Sequence, residues 1–179
     1  LDLSTLPFTG FEDSLINIDA WAGYPSEQAY LVDEMRKRGI GGVVSLSGDH
    51  HMHGAGTINR NPGDTEAPAT LVDFAVAGIS SSPVFGDLVS AARKSHEGFA
   101  SLVFTEENGA MEPVWHMSLL DGVLAASVYA RSGWRAAARL LGPNAANPGL
   151  KYVDTAANGY GLGHFSADRL EVQLCTMGG

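Results

Sequence analysis

The residues with chemistry to offer are gathered in one place. Asp49, His50, His51 and His53 follow the apolar run Val43-Val44-Ser45-Leu46 and the glycine Gly48, and they use three of the chain's six histidines. A carboxylate oxygen beside neutral imidazole nitrogens suits a borderline-to-hard metal such as zinc, iron or manganese, with calcium on the oxygen side. In an extended backbone, side chains at i and i+2 share a side. Asp49 then pairs with His51, and His51 with His53, while His50 points away unless the chain turns sharply after Gly48. The cluster is a whole metal site, half of one, or a coincidence, and the rest of the chain must decide.

Other chemistries have less to stand on. Cys175 is the sole cysteine, so the chain holds neither an internal disulfide nor a cysteine-type zinc cluster. It falls in the last strand-like run, a poor setting for a nucleophile. A Gly-x-Ser-x-Gly elbow, a Gly-x-x-x-x-Gly-Lys-Ser/Thr phosphate loop and a dinucleotide glycine fingerprint are all missing. The net charge of −9 argues against general binding to nucleic acid or to anionic membranes, which reward a basic face. It leaves an anionic substrate open, because a bound metal inverts the field at its own site.

The elements that must position the cluster can be read from pattern. With 45% hydrophobic and 17% charged residues over 179 positions, residues 1–179 read as one globular domain with a real core. No apolar window is long enough for a membrane span. Ser14–Ile18 reads as a short strand, and Asp19-Ala20-Trp21-Ala22-Gly23-Tyr24-Pro25 as a turn anchored by two rings. Pro25-Ser26-Glu27 opens a helix with a proline at its edge, a candidate serine cap and an early acid. Tyr30, Leu31 and Met35 share a face of it, Glu34 and Arg38 are spaced i,i+4, and Gly39 or Gly41 ends it. The following Val43–Leu46 run reads as a strand central in its sheet.

Gly54 to Pro68 reads as a loop with a short strand at Gly56-Thr57-Ile58, and Ala69–Val76 as a second buried strand. Ser80-Ser81-Ser82 turns the chain and caps a helix over Phe85–Lys94; an oxyanion contact is the sharper alternative. Glu112–Leu141 reads as the longest helical region, with Trp115, Leu119, Leu120, Val123, Leu124 and Val128 as its apolar face and Ser132-Gly133 as a break. His116 there reads as a packing histidine, and the row Arg131, Arg135, Arg139 as a solvated face. Gly159–Phe165 and Leu170–Leu174 alternate around a short turn and predict an antiparallel hairpin. The fold class expected is α/β, a mixed sheet flanked by helices. Leu1-Asp2-Leu3 has neither an initiator methionine nor a signal pattern, and the chain reads as a processed product or a fragment of a longer polypeptide.

Several segments in order resemble the C-terminal part of the PhoD-type (alkaline phosphatase D) metallophosphoesterases. Asp19, Trp21, Gly23, Tyr24 and Pro25 match an Asp-x-Trp-Asp-Gly-Tyr-Pro segment, and Gly48, Asp49 and His51 match a Gly-Asp-x-His metal motif. Ile79-Ser80-Ser81 matches a strand-ending turn, and Asn147, Pro148, Leu150, Asp154, Gly159 and Tyr160 match the segment before a final hairpin. Ala22 departs from the motif's second acid, and His50 stands where a small apolar residue is usual.

The resemblance implies the C-terminal half of a four-layer αββα core and a two-metal phosphoesterase, with iron and calcium as the metals and zinc or manganese as alternatives. Asp49 would ligate one metal and His51 the other, both counting as catalytic, and the substrate would be a phosphate mono- or diester. Trp21, Tyr24 and His53 are the substrate-side candidates. The remaining ligands of such a centre, which needs about eight positions counting water and substrate, would come from an N-terminal portion, present as upstream chain or as a separate chain. The family is largely secreted or periplasmic, and that location is the expectation here. Two other readings stay beside it: a non-catalytic α/β binding or structural domain, or inactive fragment, that keeps the fold; and a mononuclear hydrolase completed by His51, His53 and a distant acid.

Overall fold

A computed structural model describes residues 24–60, 68–95, 97–107, 109–141 and 147–177. The strand expected at Ser14–Ile18 and the Asp19–Gly23 turn lie outside the described residues. The first helix, α1 (Pro25–Lys37), starts where its proline predicts. Tyr24, not Ser26, is its N-cap residue and no side chain caps it. Its end is a Schellman turn: Gly39 adopts φ +64°, the Gly39 N–H donates to Arg36 O and the Ile40 N–H to Met35 O. Glu34 pairs with Arg38 at 3.0 Å as spaced, and Lys37 joins at 3.3 Å. These are exposed pairs, worth a few tenths of a kcal/mol at about 25 °C. The buried residue of α1 is Val32; Tyr30 and Leu31 face outward, so the expected apolar face is not the packed one.

Four strands form a mixed sheet in the order β1-β3-β2-β6: β1 (Val43–Ser47), β2 (His53–Ile58), β3 (Leu71–Ala75) and β6 (Leu150–Asp154). β1 runs parallel to β3, while β2 runs antiparallel to both β3 and β6. The Val-rich β1 reads as central from its residues, yet among the described residues it is the sheet's edge, with Leu46 57% exposed. The short strand expected at Gly56–Ile58 begins three residues earlier, at His53 itself.

Helices flank the sheet. Between β3 and β6 come α2 (Val84–Ala92), α3 (Glu97–Val103), a small hairpin β4 (Phe104–Glu107) and β5 (Ala110–Pro113), then α4 (Trp115–Leu120), α5 (Val123–Ser132) and α6 (Arg135–Arg139). Phe85, Leu88 and Val89 of α2, Phe99 and Val103 of α3 and Trp115 and Leu119 of α4 close over Met52 and over Val153 of β6. A second cluster joins α3 to α6 through Leu102, Met117, Ala125, Ala126, Tyr129 and Ala138.

The long helix expected over Glu112–Leu141 is broken twice. Gly133 breaks it where predicted, at φ +66°, and Gly122 breaks it earlier, at φ +94°. The second break resets the helical phase, so Leu124 is 66% exposed and Ala125, Ala126 and Tyr129 take the inward face. Pro83, not a serine, is the N-cap residue of α2, without a side-chain cap. The C-terminal hairpin of β7 (Gly159–Phe165) and β8 (Leu170–Thr176) forms as its alternation predicts. No helix among the described residues is long and apolar enough to cross a membrane.

Candidate metal-ligand site

β1 stops at Ser47, where the Val76 N–H donates to Ser47 O and keeps the end of β1 joined to the end of β3. The chain then turns sharply. The His50 N–H folds back to Gly48 O at 2.8 Å, and Asp49 and His51 both adopt left-handed backbone, at φ +67° and +51°. Non-glycine residues pay about 1–2 kcal/mol each for this conformation. Such strain persists where surrounding contacts over-determine it, and it concentrates at functional sites. The turn also overrides the i, i+2 alternation, so the pairing of Asp49 with His51 and of His51 with His53 expected from an extended chain does not apply.

His51 is held by two bonds to one segment. Its Nδ1 lies 2.8 Å from Ser82 O, and its own carbonyl accepts the Val84 N–H at 3.0 Å. A carbonyl can only accept, so Nδ1 carries a proton, and in the neutral ring Nε2 is the nitrogen with the lone pair. Metal-binding histidines share this arrangement, one nitrogen donating to a carbonyl or carboxylate and the other left to ligate. Asp49 is exposed on the same turn. A carboxylate and a lone-pair imidazole nitrogen fit a metal chemically. They are two donors, and among the described residues no group of three or more His, Cys, Asp or Glu side chains is assembled that could hold a metal ion.

His53, expected on the substrate side, opens β2. It is fully buried, its Nδ1 accepts the Ala77 N–H at 3.1 Å, and its Nε2 donates to Cys175 O at 3.3 Å. Both nitrogens are in use, and His53 ties β2 to the β3 exit and to β8. Tyr24 stands half-exposed just ahead of α1. Trp21 lies outside the described residues.

His116 packs as expected. Its Nε2 accepts the Thr155 N–H at 2.7 Å and sits 3.6 Å from Asp154 Oδ1, joining α4 to the end of β6. Burial lowers its pKa; the Asp154 carboxylate opposes this and the Arg135 guanidinium adds to it. An imidazole accepting a backbone N–H must be neutral at that nitrogen, so geometry and desolvation agree. Arg131, Arg135 and Arg139 are exposed, as a solvated row should be.

Sequence reasoning missed the groups that hold the turn. The partner of His51 is a backbone carbonyl, which no residue type announces. The Asn158 side chain, one residue before the Gly159-Tyr160 pair, donates to Gly78 O at 3.0 Å and to Ser81 O at 2.6 Å.

The described residues form a mixed α/β domain, a mixed sheet flanked by helices, with an Asp-x-His turn at the end of one strand. The family follows from comparison: the chain matches the PhoD-like phosphatase model over residues 8–174 and belongs to the PhoD-like phosphatase family. Membership makes it a phosphatase-type hydrolase in general terms. No curated protein and no solved structure matches the chain.

Proposed function

We propose that this chain is the C-terminal part of a metal-dependent phosphoesterase that hydrolyses phosphate mono- or diesters, with Asp49 and His51 as the last ligand motif of a two-metal centre. The observation that carries the reading is the His51 imidazole, bonded through Nδ1 to Ser82 O with no partner for Nε2 among the described residues, on a strained turn that also carries Asp49. Family membership supports the reaction class. When bound, two metal ions, iron and calcium or else zinc or manganese, would polarise the phosphoryl group and activate water for in-line attack.

The chain's own residues have simpler tasks. Asp49 brings negative charge to the centre, and His51 brings a directional nitrogen whose orientation is set before any ligand arrives. Trp21 and Tyr24 belong to the substrate side in this reading. The remaining ligands come from an N-terminal portion, upstream or as a separate chain, which completes a four-layer αββα core. The open edge of β1 among the described residues and the exposed Tyr30, Ile40 and Leu46 support such a packing partner. A secreted or periplasmic location is part of the same proposal.

A second reading, a non-catalytic α/β domain, has in its favour that only two donors are presented among the described residues. The two separate on one experiment: metal content and phosphomonoesterase and phosphodiesterase rates, for this chain alone and joined to its upstream portion. The proposal expects metal and activity only in the joined protein, both lost in His51→Ala. A joined protein that binds no metal, or a His51→Ala variant as active as the parent, would overturn it.

A further inference from the structure

We infer that Asn158 is a positioning residue for His51, acting through the Gly78–Ser82 turn. The two residues do not bond to each other; a short chain of hydrogen bonds links them. Both hydrogens of the Asn158 amide are spent on that turn, on Gly78 O at 3.0 Å and Ser81 O at 2.6 Å. The Gly159 N–H adds a second bond to Gly78 O at 3.2 Å, and Asn158's own carbonyl accepts the Met177 N–H at 2.8 Å, which anchors the clamp to the end of β8. The turn is folded so tightly that a Cβ on Gly78 would run into Ser81 Oγ.

The next carbonyl along, Ser82 O, is the one that receives His51 Nδ1–H, and the Val84 N–H two residues later returns to His51 O. With Gly78 O and Ser81 O held, Ser82 O has one direction to face, and that direction selects the Nδ1–H tautomer. A carbonyl on a loose serine-rich turn would bond water as readily as imidazole, because a net intramolecular hydrogen bond is worth only about 1 kcal/mol. The clamp makes His51 preorganised.

The inference rests on reading His51 as a ligand-presenting side chain, but its test does not need a metal. The His51 and His53 side chains are held in opposite tautomers, Nδ1–H and Nε2–H, and side-chain 15N chemical shifts distinguish the two at about pH 8, where free imidazole is neutral. In the metal-free wild-type chain we expect His51 as Nδ1–H and His53 as Nε2–H. In Asn158→Ala we expect His51 to lose its Nδ1–H preference while His53, bonded to Ala77 and Cys175, keeps its form and so reports an intact fold. Should Asn158→Ala lose the His53 signature too, Asn158→Ser, which keeps one donor, is read the same way. A folded variant in which His51 remains wholly Nδ1–H overturns the inference. A tautomer shift in a protein that never binds metal would sink the metal reading and leave the Asn158 clamp standing.

Discussion

His51 and His53 are two residues apart and are held in opposite tautomers. Ser82 O takes the Nδ1 proton of His51, whereas the Ala77 N–H occupies Nδ1 of His53 and forces its proton onto Nε2, toward Cys175 O. Among the described residues Nε2 of His51 has no partner on its partly exposed turn, whereas His53 is bonded through both nitrogens within the core. The pair separates a candidate ligand from a structural residue more sharply than any property of the amino acid itself.

Their substitutions should therefore diverge. Replacing buried His53 by Ala leaves a cavity and strands the Ala77 N–H, which should cost about 2–5 kcal/mol. His51→Ala loses one hydrogen bond at a partly exposed position, about 0.5–1.5 kcal/mol. Denaturant unfolding of the two variants measures the gap, and metal titration of the joined protein should show loss in His51→Ala.

The strained turn predicts a stability–function conflict at Asp49. Glycine takes φ +67° without a Cβ penalty but carries more backbone entropy to lose. The two effects together should leave Asp49→Gly between about 0 and 1 kcal/mol more stable than wild type. It should bind metal less well in the joined protein. Thermal unfolding alongside metal affinity tests this, and a destabilised Asp49→Gly would show the left-handed turn to be unstrained.

At Gly159 the C-terminal hairpin lies against His53 at the start of β2. A Cβ there would meet the Cys175 carbonyl and lie 2.8 Å from His53 Nε2. Gly159→Ala should destabilise by about 1–3 kcal/mol, since backbone must shift to admit the methyl group. The His53 tautomer signal should weaken in the same variant, which distinguishes this local clash from a general loss of stability.

His116 sets an acid-side dependence. Its folded pKa lies below the ordinary value of 6.5, chiefly through burial. Below 6.5 the unfolded chain therefore binds the proton more readily than the folded one, and stability falls as pH drops from about 6.5 toward the folded value. Above 6.5 this contribution is fully present. Melting temperature against pH should show the decline, and His116→Gln, which keeps an acceptor for the Thr155 N–H without titrating, should flatten it.

Much of the fold was legible because its causes are local. Pro25 and Gly39 delimit α1, Gly133 stops α5, and the alternation of Gly159–Phe165 and Leu170–Leu174 specifies a hairpin. Asp49 and His51 stood out by type and by their place after a strand and a glycine. The errors arose where neighbours distant in sequence decide. The edge position of β1 among the described residues depends on which strands find it, the inward face of α5 on the phase reset at Gly122, and the burial of His53 on Ala77 and Cys175 closing around it.

By itself, then, the amino-acid order determined the elements, their ends, the family resemblance and the one turn worth suspecting, since propensity, capping and hydrophobic period act over a few residues. Only the tertiary structure decided which histidine presents a free nitrogen. The bond to His51 comes from a carbonyl 31 positions away, Ser82 O, on a turn whose Gly78 and Ser81 carbonyls accept from the Asn158 amide. A tautomer is a property of what surrounds an imidazole, and no spacing along the chain encodes it.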